Sequence, residues 1–217
     1  MVKYLKLFGF IYLTVFICLS NVESADEAST GKKEVGIIGA ESPFVWELGN
    51  YNCYVYKKHV VHTIPSEGVG EDIKVFTRTD KNNAQSDCKE AALKEKLHIR
   101  NKDAFWFSGI SGDHLFIDNG TAPDGRELIV YDLLKKKKVF SSRYLGAFAL
   151  QDKNTLCFYK AIKKIQTIKE CPKSDRTKDI KDWLAQGQSV ALAERITLDL
   201  KTLKPNKTGM FLCIALQ

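Results

Sequence analysis

Ala104-Phe105-Trp106-Phe107-Ser108-Gly109-Ile110 is followed by Ser111-Gly112-Asp113 and then by His114-Leu115-Phe116-Ile117-Asp118. Two apolar, aromatic runs of strand length flank three turn-forming residues. Aromatic and β-branched side chains suit a pleated, half-buried surface, and Ser, Gly and Asp suit a turn. The stretch therefore reads as a β-hairpin.

The same grammar extends in both directions. Toward the C-terminus, Pro123-Asp124-Gly125 reads as a turn, because proline presets φ and glycine accepts positive φ. Leu128 to Asp132 is a strand, Lys135 to Lys138 a solvated hairpin tip, and Val139-Phe140 the return. Thr155 to Ile162 starts another strand. Ser189 to Leu200 and Gly209 to Leu216 read as two closing strands around a Pro205-Asn206 turn. Toward the N-terminus, Ile73 to Thr79 and Tyr51 to Ile64 read as strands, and Val35 to Ala40 as a short first one.

Two segments read as helix. Asp87 and Glu90 have capping-box spacing ahead of the good helix formers Ala91 to Leu97. Thr177 is placed to N-cap a second helix, with Ile180, Trp183 and Leu184 on one face and Gly187 just past its end. Strands outnumber helices and most connections are short. The expected class is mainly β, a β-rich α+β fold: an antiparallel sheet, sandwich or partial barrel with one or two short helices.

Leu115 to Thr121, Leu128 to Leu133 and the lysine tip together resemble the strand–turn–strand phrase of a β-propeller blade. The phrase occurs once, whereas propellers repeat it about four times or more. With the ending Asp199-Leu200-Lys201-Thr202-Leu203, Thr208-Gly209, Cys213 and Gln217, the chain is also similar to uncharacterised exported bacterial β-rich proteins. Neither resemblance implies an activity.

The N-terminus carries an address. Lys3 and Lys6 precede an apolar run from Leu7 to Leu19, and a polar stretch ends at Ser24. A positive n-region, an apolar core and small residues before the cut make a secretory signal peptide over residues 1–24. The apolar run is shorter than the ~20 residues of a spanning helix, so no transmembrane segment is expected after cleavage. Residues 25–34 are small and polar and read as a leader without fixed structure. Residues 35–217 are expected to form a single β-rich domain, periplasmic or secreted. The net charge of +7 favours an anionic partner. No nucleic-acid motif is present.

Export places the cysteines where disulfides persist. Beyond the signal peptide stand Cys53, Cys88, Cys157, Cys171 and Cys213, an odd set that leaves one thiol over. The expected pairs are Cys53–Cys88 and Cys157–Cys171, with Cys213 buried and free. No two cysteines have zinc-ligand spacing, so neither metal nor cofactor is expected. His59 and His62 lie on a segment read as strand, where side chains three apart face opposite ways.

Ser111, Asp113 and His114, with Ser108 nearby, are the most catalysis-like residues, although the nucleophile elbow needs Gly-x-Ser-x-Gly between a strand and a helix. Turn chemistry explains them as well. Lys135, Lys136, Lys137 and Lys138 are the candidate anion surface, and the lysines from Lys160 to Lys173 a second. Ile162, Ile165 and Ile168 between those lysines read as core contacts. Trp106, facing away from Phe105 and Phe107 on a strand, is the candidate stacking residue if exposed. The leading expectation is an exported binding domain without enzymatic activity. A hydrolase using the Ser/His/Asp set comes second, and a structural envelope component third.

Overall fold

The computed structural model describes residues 37–78, 84, 86–88, 94–122 and 125–216. The signal segment, the leader, Val35 and the Pro123-Asp124 corner lie outside the described residues. Among those described, the chain is mainly β, with three antiparallel sheets, one α-helix and no closed barrel. They fall into two compact units, one running up to Arg143 and the other starting at Tyr144.

The first unit holds two meanders. Strands β1 (Phe44–Leu48), β2 (Tyr51–Val55), β3 (His59–Pro65), β4 (Glu71–Thr77) and β5 (Glu95–Ile99) pair in sequence order. Strands β6 (Phe105–Ser111), β7 (His114–Asn119), β8 (Glu127–Asp132) and β9 (Lys137–Arg143) do the same. Val61, Ile73, Val75 and Ile99 from the first sheet pack with Phe105, Phe107, Leu115, Ile117 and Ile129 from the second. This is sandwich packing, and each such side chain contributes about 1.5–3 kcal/mol on burial. The other face of the first sheet buries Val55, Val60 and Phe76 around the Cys53–Cys88 disulfide.

The junction between these sheets is fixed by side chains. Asn101 accepts the Phe105 N–H at 2.9 Å and donates to the Val69 carbonyl at 2.6 Å. Glu71 accepts the Phe107 N–H at 2.6 Å. Gly70 has φ +97°, and a Cβ there would lie 2.7 Å from the Phe105 nitrogen, so only glycine permits this approach.

The second unit is one meander of β10 (Leu145–Asp152), β11 (Thr155–Ile165), β12 (Ser189–Asp199) and β13 (Lys204–Leu216), with helix α1 (Lys178–Ala185) between β11 and β12. The helix forms where expected: the Thr177 side chain accepts the Ile180 N–H at 3.3 Å. Ile180, Trp183 and Leu184 pack against Ile165, Val190 and Leu192.

Several expectations are corrected. Tyr51 to Ile64 is a hairpin of two strands rather than one run. Val35 to Ala40 yields only an isolated bridge at Ile38 within its described part, and β1 was not anticipated. The segment expected to be helical from Asp87 to Leu97 is a 3-10 turn at Ser86–Cys88 and then strand β5; residues 89–93 lie outside the described residues. Pairing with β4 and burial of Ile99 override the helix propensity of Glu95, Lys96 and Leu97. Pro205-Asn206 is not a turn but part of β13, opposite Leu198 and Thr197. Proline is tolerated there because β13 is an edge strand and no ladder partner misses its N–H. The turn lies earlier, where Asp199 accepts the N–H groups of Lys201 and Thr202 at 2.8 and 2.7 Å.

The cysteine pairing is half corrected. Cys53–Cys88 forms, but Cys171 pairs with Cys213, and Cys157 is the buried free thiol. Cys157 and Cys171 are close in sequence only. From Cys157, β11 extends to Ile165, which carries the chain ~25 Å away at ~3.3 Å per residue. Cys213 lies opposite Leu192, beside that far end of β11, where the following loop returns. Asp175 reinforces the return by accepting the Cys213 N–H at 3.0 Å. Each bridge closes a loop long enough to stabilise by about 3–4 kcal/mol. The two disulfides fit an oxidising, non-cytoplasmic setting.

Candidate functional site

On strand β6 only Trp106 is exposed; its neighbours on the strand are buried. Its backbone neighbours are held from outside: Asn101 takes the N–H of Phe105 and Glu71 that of Phe107. Burial raises the Glu71 carboxyl above its ordinary value, against the hydrogen bonds from Phe107 and Thr63. Opposite Trp106 on β7 stands Asp118. A bulge follows at Ser108, between the Phe107 and Gly109 pairings, and turns the strand there.

Asp118 is a buried carboxylate, its side chain 4% exposed. Arg126, just ahead of β8, meets it with two groups. Nε donates to Oδ1 at 2.9 Å, and the terminal nitrogen Nη2 contacts Oδ2. This fork-to-carboxylate match is the arrangement in which a buried charge is best compensated. Gly120 makes it reachable. Its φ is +125°, and a Cβ would lie 3.3 Å from the Arg126 Cα, so the loop folds back only with glycine here.

Around these groups lies an open cavity of about 520 Å³, lined by Trp106, Phe107, Ser108, Asp118, Gly120, Thr121 and Arg126. That volume is in the range of small-molecule sites. The cavity therefore presents an exposed indole, two hydroxyls and an ion pair. Sequence reasoning reached Trp106 but not Asp118 or Arg126. The seven residues between those two gave no signal of their pairing.

The catalysis-like set is arranged differently from a triad. Ser111 and His114 face each other across the Gly112-Asp113 turn. The Gly112 N–H donates to Glu41 at 2.8 Å. The Asp113 carboxylate turns to the first sheet: His59 Nε2 donates to its Oδ1 at 3.1 Å, and Lys58 Nζ lies 3.6 Å from its Oδ2. Burial lowers the His59 pKa, helped by the Lys96 charge and opposed by Asp113 and Glu41. The ring is thus neutral at neutral pH, and its Nδ1 is buried without a hydrogen-bond partner among the described residues. His59 is 3% exposed, which puts the imidazole beyond reach of a substrate. The His114 pKa is likewise lowered, chiefly by burial. Ser108 donates to the Trp106 carbonyl at 3.4 Å. His62, on the opposite face from His59 as its spacing requires, packs between Tyr51 and Phe76.

The lysine tip is the exposed turn between β8 and β9. Asp132 accepts the N–H groups of Leu134 and Lys135 at 2.9 Å each, and Lys135 Nζ lies 2.9 Å from its other oxygen. Burial opposes ionisation of Asp132, but these Lys135 and Leu134 contacts prevail and hold the carboxyl below its ordinary value. Lys136 takes φ +54°, where a hairpin ordinarily uses glycine. Lys137 and Lys138 begin β9, also exposed. In the second basic segment, Lys163 pairs with Glu170 at 2.5 Å. Ile165 and Ile168 join the core as expected, but Ile162 sits at a bulge and is exposed.

Among the described residues no cluster of three or more His, Cys, Asp or Glu side chains is placed to hold a metal ion. No described helix is long and apolar enough to cross a membrane. Family models, curated proteins and solved structures offer no match to this chain. Its functional reading rests on its own residues.

Proposed function

We propose that the chain is an exported, disulfide-stabilised binding module that takes its ligand at the Trp106 cavity. The observation that carries this reading is the exposed indole, 41% accessible on a strand whose other side chains are buried. Leaving a tryptophan in water forgoes a large burial gain, and an aromatic beside convergent polar groups is how binding sites are commonly built. Export is supported by the signal-like N-terminus and by two disulfides, and either a periplasmic or a secreted destination is compatible with both.

A ligand that binds only the native state raises the unfolding temperature. A panel of sugars, uronic acids, nucleotides and amino acids is screened by thermal unfolding, with wild type and Trp106→Ala side by side. At least one member is expected to stabilise wild type and not the variant. A panel with no Trp106-dependent member sinks the reading.

The exposed lysine tip favours a second reading, an anionic partner held at Lys135–Lys138. It engages a different surface and is tested separately below.

A further inference from the structure

We propose that the β8–β9 tip seats this protein on an anionic lipid surface, with Leu134 entering the headgroup layer and Lys136, Lys137 and Lys138 meeting the lipid phosphates. This rests on the second reading above, an anionic partner at the lysine tip, and adds the class of that partner.

The tip opens with two leucines in opposite surroundings. Leu133 is fully buried, and its N–H donates to the Asp113 carbonyl at 2.8 Å. Leu134 is 68% exposed. Its backbone is fixed all the same, because Asp132 accepts the N–H groups of Leu134 and Lys135 at 2.9 Å each. Lys135 to Lys138 follow, all of them exposed. A single exposed leucine is ordinary on a protein surface. This one is held on a fixed turn beside four consecutive lysines, so its setting is basic as well as apolar.

Charge selects an anion. Asp132 is the only acid between residues 131 and 143, and it is buried within the turn with Lys135 on its second oxygen. The adjoining β6–β7 turn adds Asp113, paired with Lys58, and Glu41, which accepts the Gly112 N–H. Lys58 and the four tip lysines outnumber these three carboxylates, so this end of the unit keeps a positive balance.

The leucine selects the kind of anion. A soluble polyanion engages ammonium groups and has no use for an apolar side chain among them. A lipid surface takes both. The leucine leaves water for the acyl boundary, while lysine stems lie along that boundary and their heads stay at the phosphates. The attraction of lysines to an anionic leaflet fades within a Debye length, so the charges must project from the same place as the leucine. The turn puts them there, and its fixed backbone spares the cost of ordering a loop on contact. One leucine is too little for a permanent anchor, so the attachment is peripheral and reversible.

The chain as an exporting host releases it, disulfides intact, is sedimented with two kinds of vesicle. One is phosphatidylcholine alone, the other phosphatidylcholine mixed with phosphatidylglycerol. The protein is expected to bind the mixed vesicles, to ignore the neutral ones and to be released by added salt. Leu134→Ser is expected to weaken vesicle binding about fivefold while eluting from heparin as the parent does. Lys136→Glu, Lys137→Glu and Lys138→Glu combined are expected to lower vesicle affinity about a hundredfold and to elute early from heparin. Circular dichroism confirms that each variant is folded. If heparin retention depends on the lysines but vesicles are ignored, or are bound equally well by Leu134→Ser, the partner is a soluble polyanion: the lipid class is wrong and the anionic reading stands. Equal binding to neutral vesicles overturns the lipid proposal as well. If neither vesicle binding nor heparin retention depends on the lysines, both fall.

Discussion

His59 and His62 show how much one residue's surroundings decide. They share a strand and a chemistry, yet one hydrogen-bonds Asp113 and the other is packed between aromatic rings. Because burial lowers the His59 pKa, the unfolded chain takes up a proton near pH 6.5 that the folded chain refuses. Stability is therefore complete above pH 6.5 and is lost as pH falls from there toward the lowered native value. His114 acts with the same sign. Urea midpoints measured from about pH 7 down to about pH 5 are expected to fall, and His59→Gln is expected to flatten part of that slope. An unchanged slope in His59→Gln would mean that the imidazole titrates alike in both states.

At the scale of elements, some hairpins were legible from turn residues between apolar runs, whereas β1 with its Gly49-Asn50 turn and β10 (Leu145–Asp152) were not read. The β6–β7 hairpin lies where Ser111-Gly112-Asp113 places it, and α1 lies where Thr177 and Gly187 bracket it. Pro205 misled because a proline marks a turn only when its strand position needs an N–H, and on the edge strand β13 it does not. The segment at Glu95–Leu97 misled because β pairing outweighed local helix preference. The β8–β9 tip carries its own prediction. Lysines held outward on a fixed turn should bind anions by charge, so replacing Lys136, Lys137 and Lys138 with glutamate should shift elution from a heparin column to lower salt. Lys135 is left in place because it completes the Asp132 turn. Equal elution of variant and parent would remove the anionic-partner reading without touching the Trp106 cavity.

Across the whole molecule, each compact unit has its own disulfide, Cys53–Cys88 in one and Cys171–Cys213 in the other. The reading of residues 35–217 as a single domain is kept as a proposal, and unfolding tests it. Trp46 reports on the first unit and Trp183 on the second. Single-tryptophan variants retaining one or the other are expected to give coincident denaturant transitions, as a single cooperative domain requires. Separate midpoints would show two independently stable units.

The sequence by itself determined the mainly β, antiparallel class, the β6–β7 hairpin, the helix after Thr177, the Cys53–Cys88 pair as a candidate and Trp106 as the aromatic to watch. These follow from local chemistry: side-chain shape, turn-forming residues and a two-residue period are all read within a few positions. Only the tertiary structure decided that Asp118 and Arg126 form one buried pair, that Asp113 belongs to His59, and that Cys171 joins Cys213 rather than Cys157. Each of these depends on where an extended strand delivers its end or on which side chain crosses from a neighbouring sheet. Such meetings are set by register and packing over distances that no short window of sequence encodes.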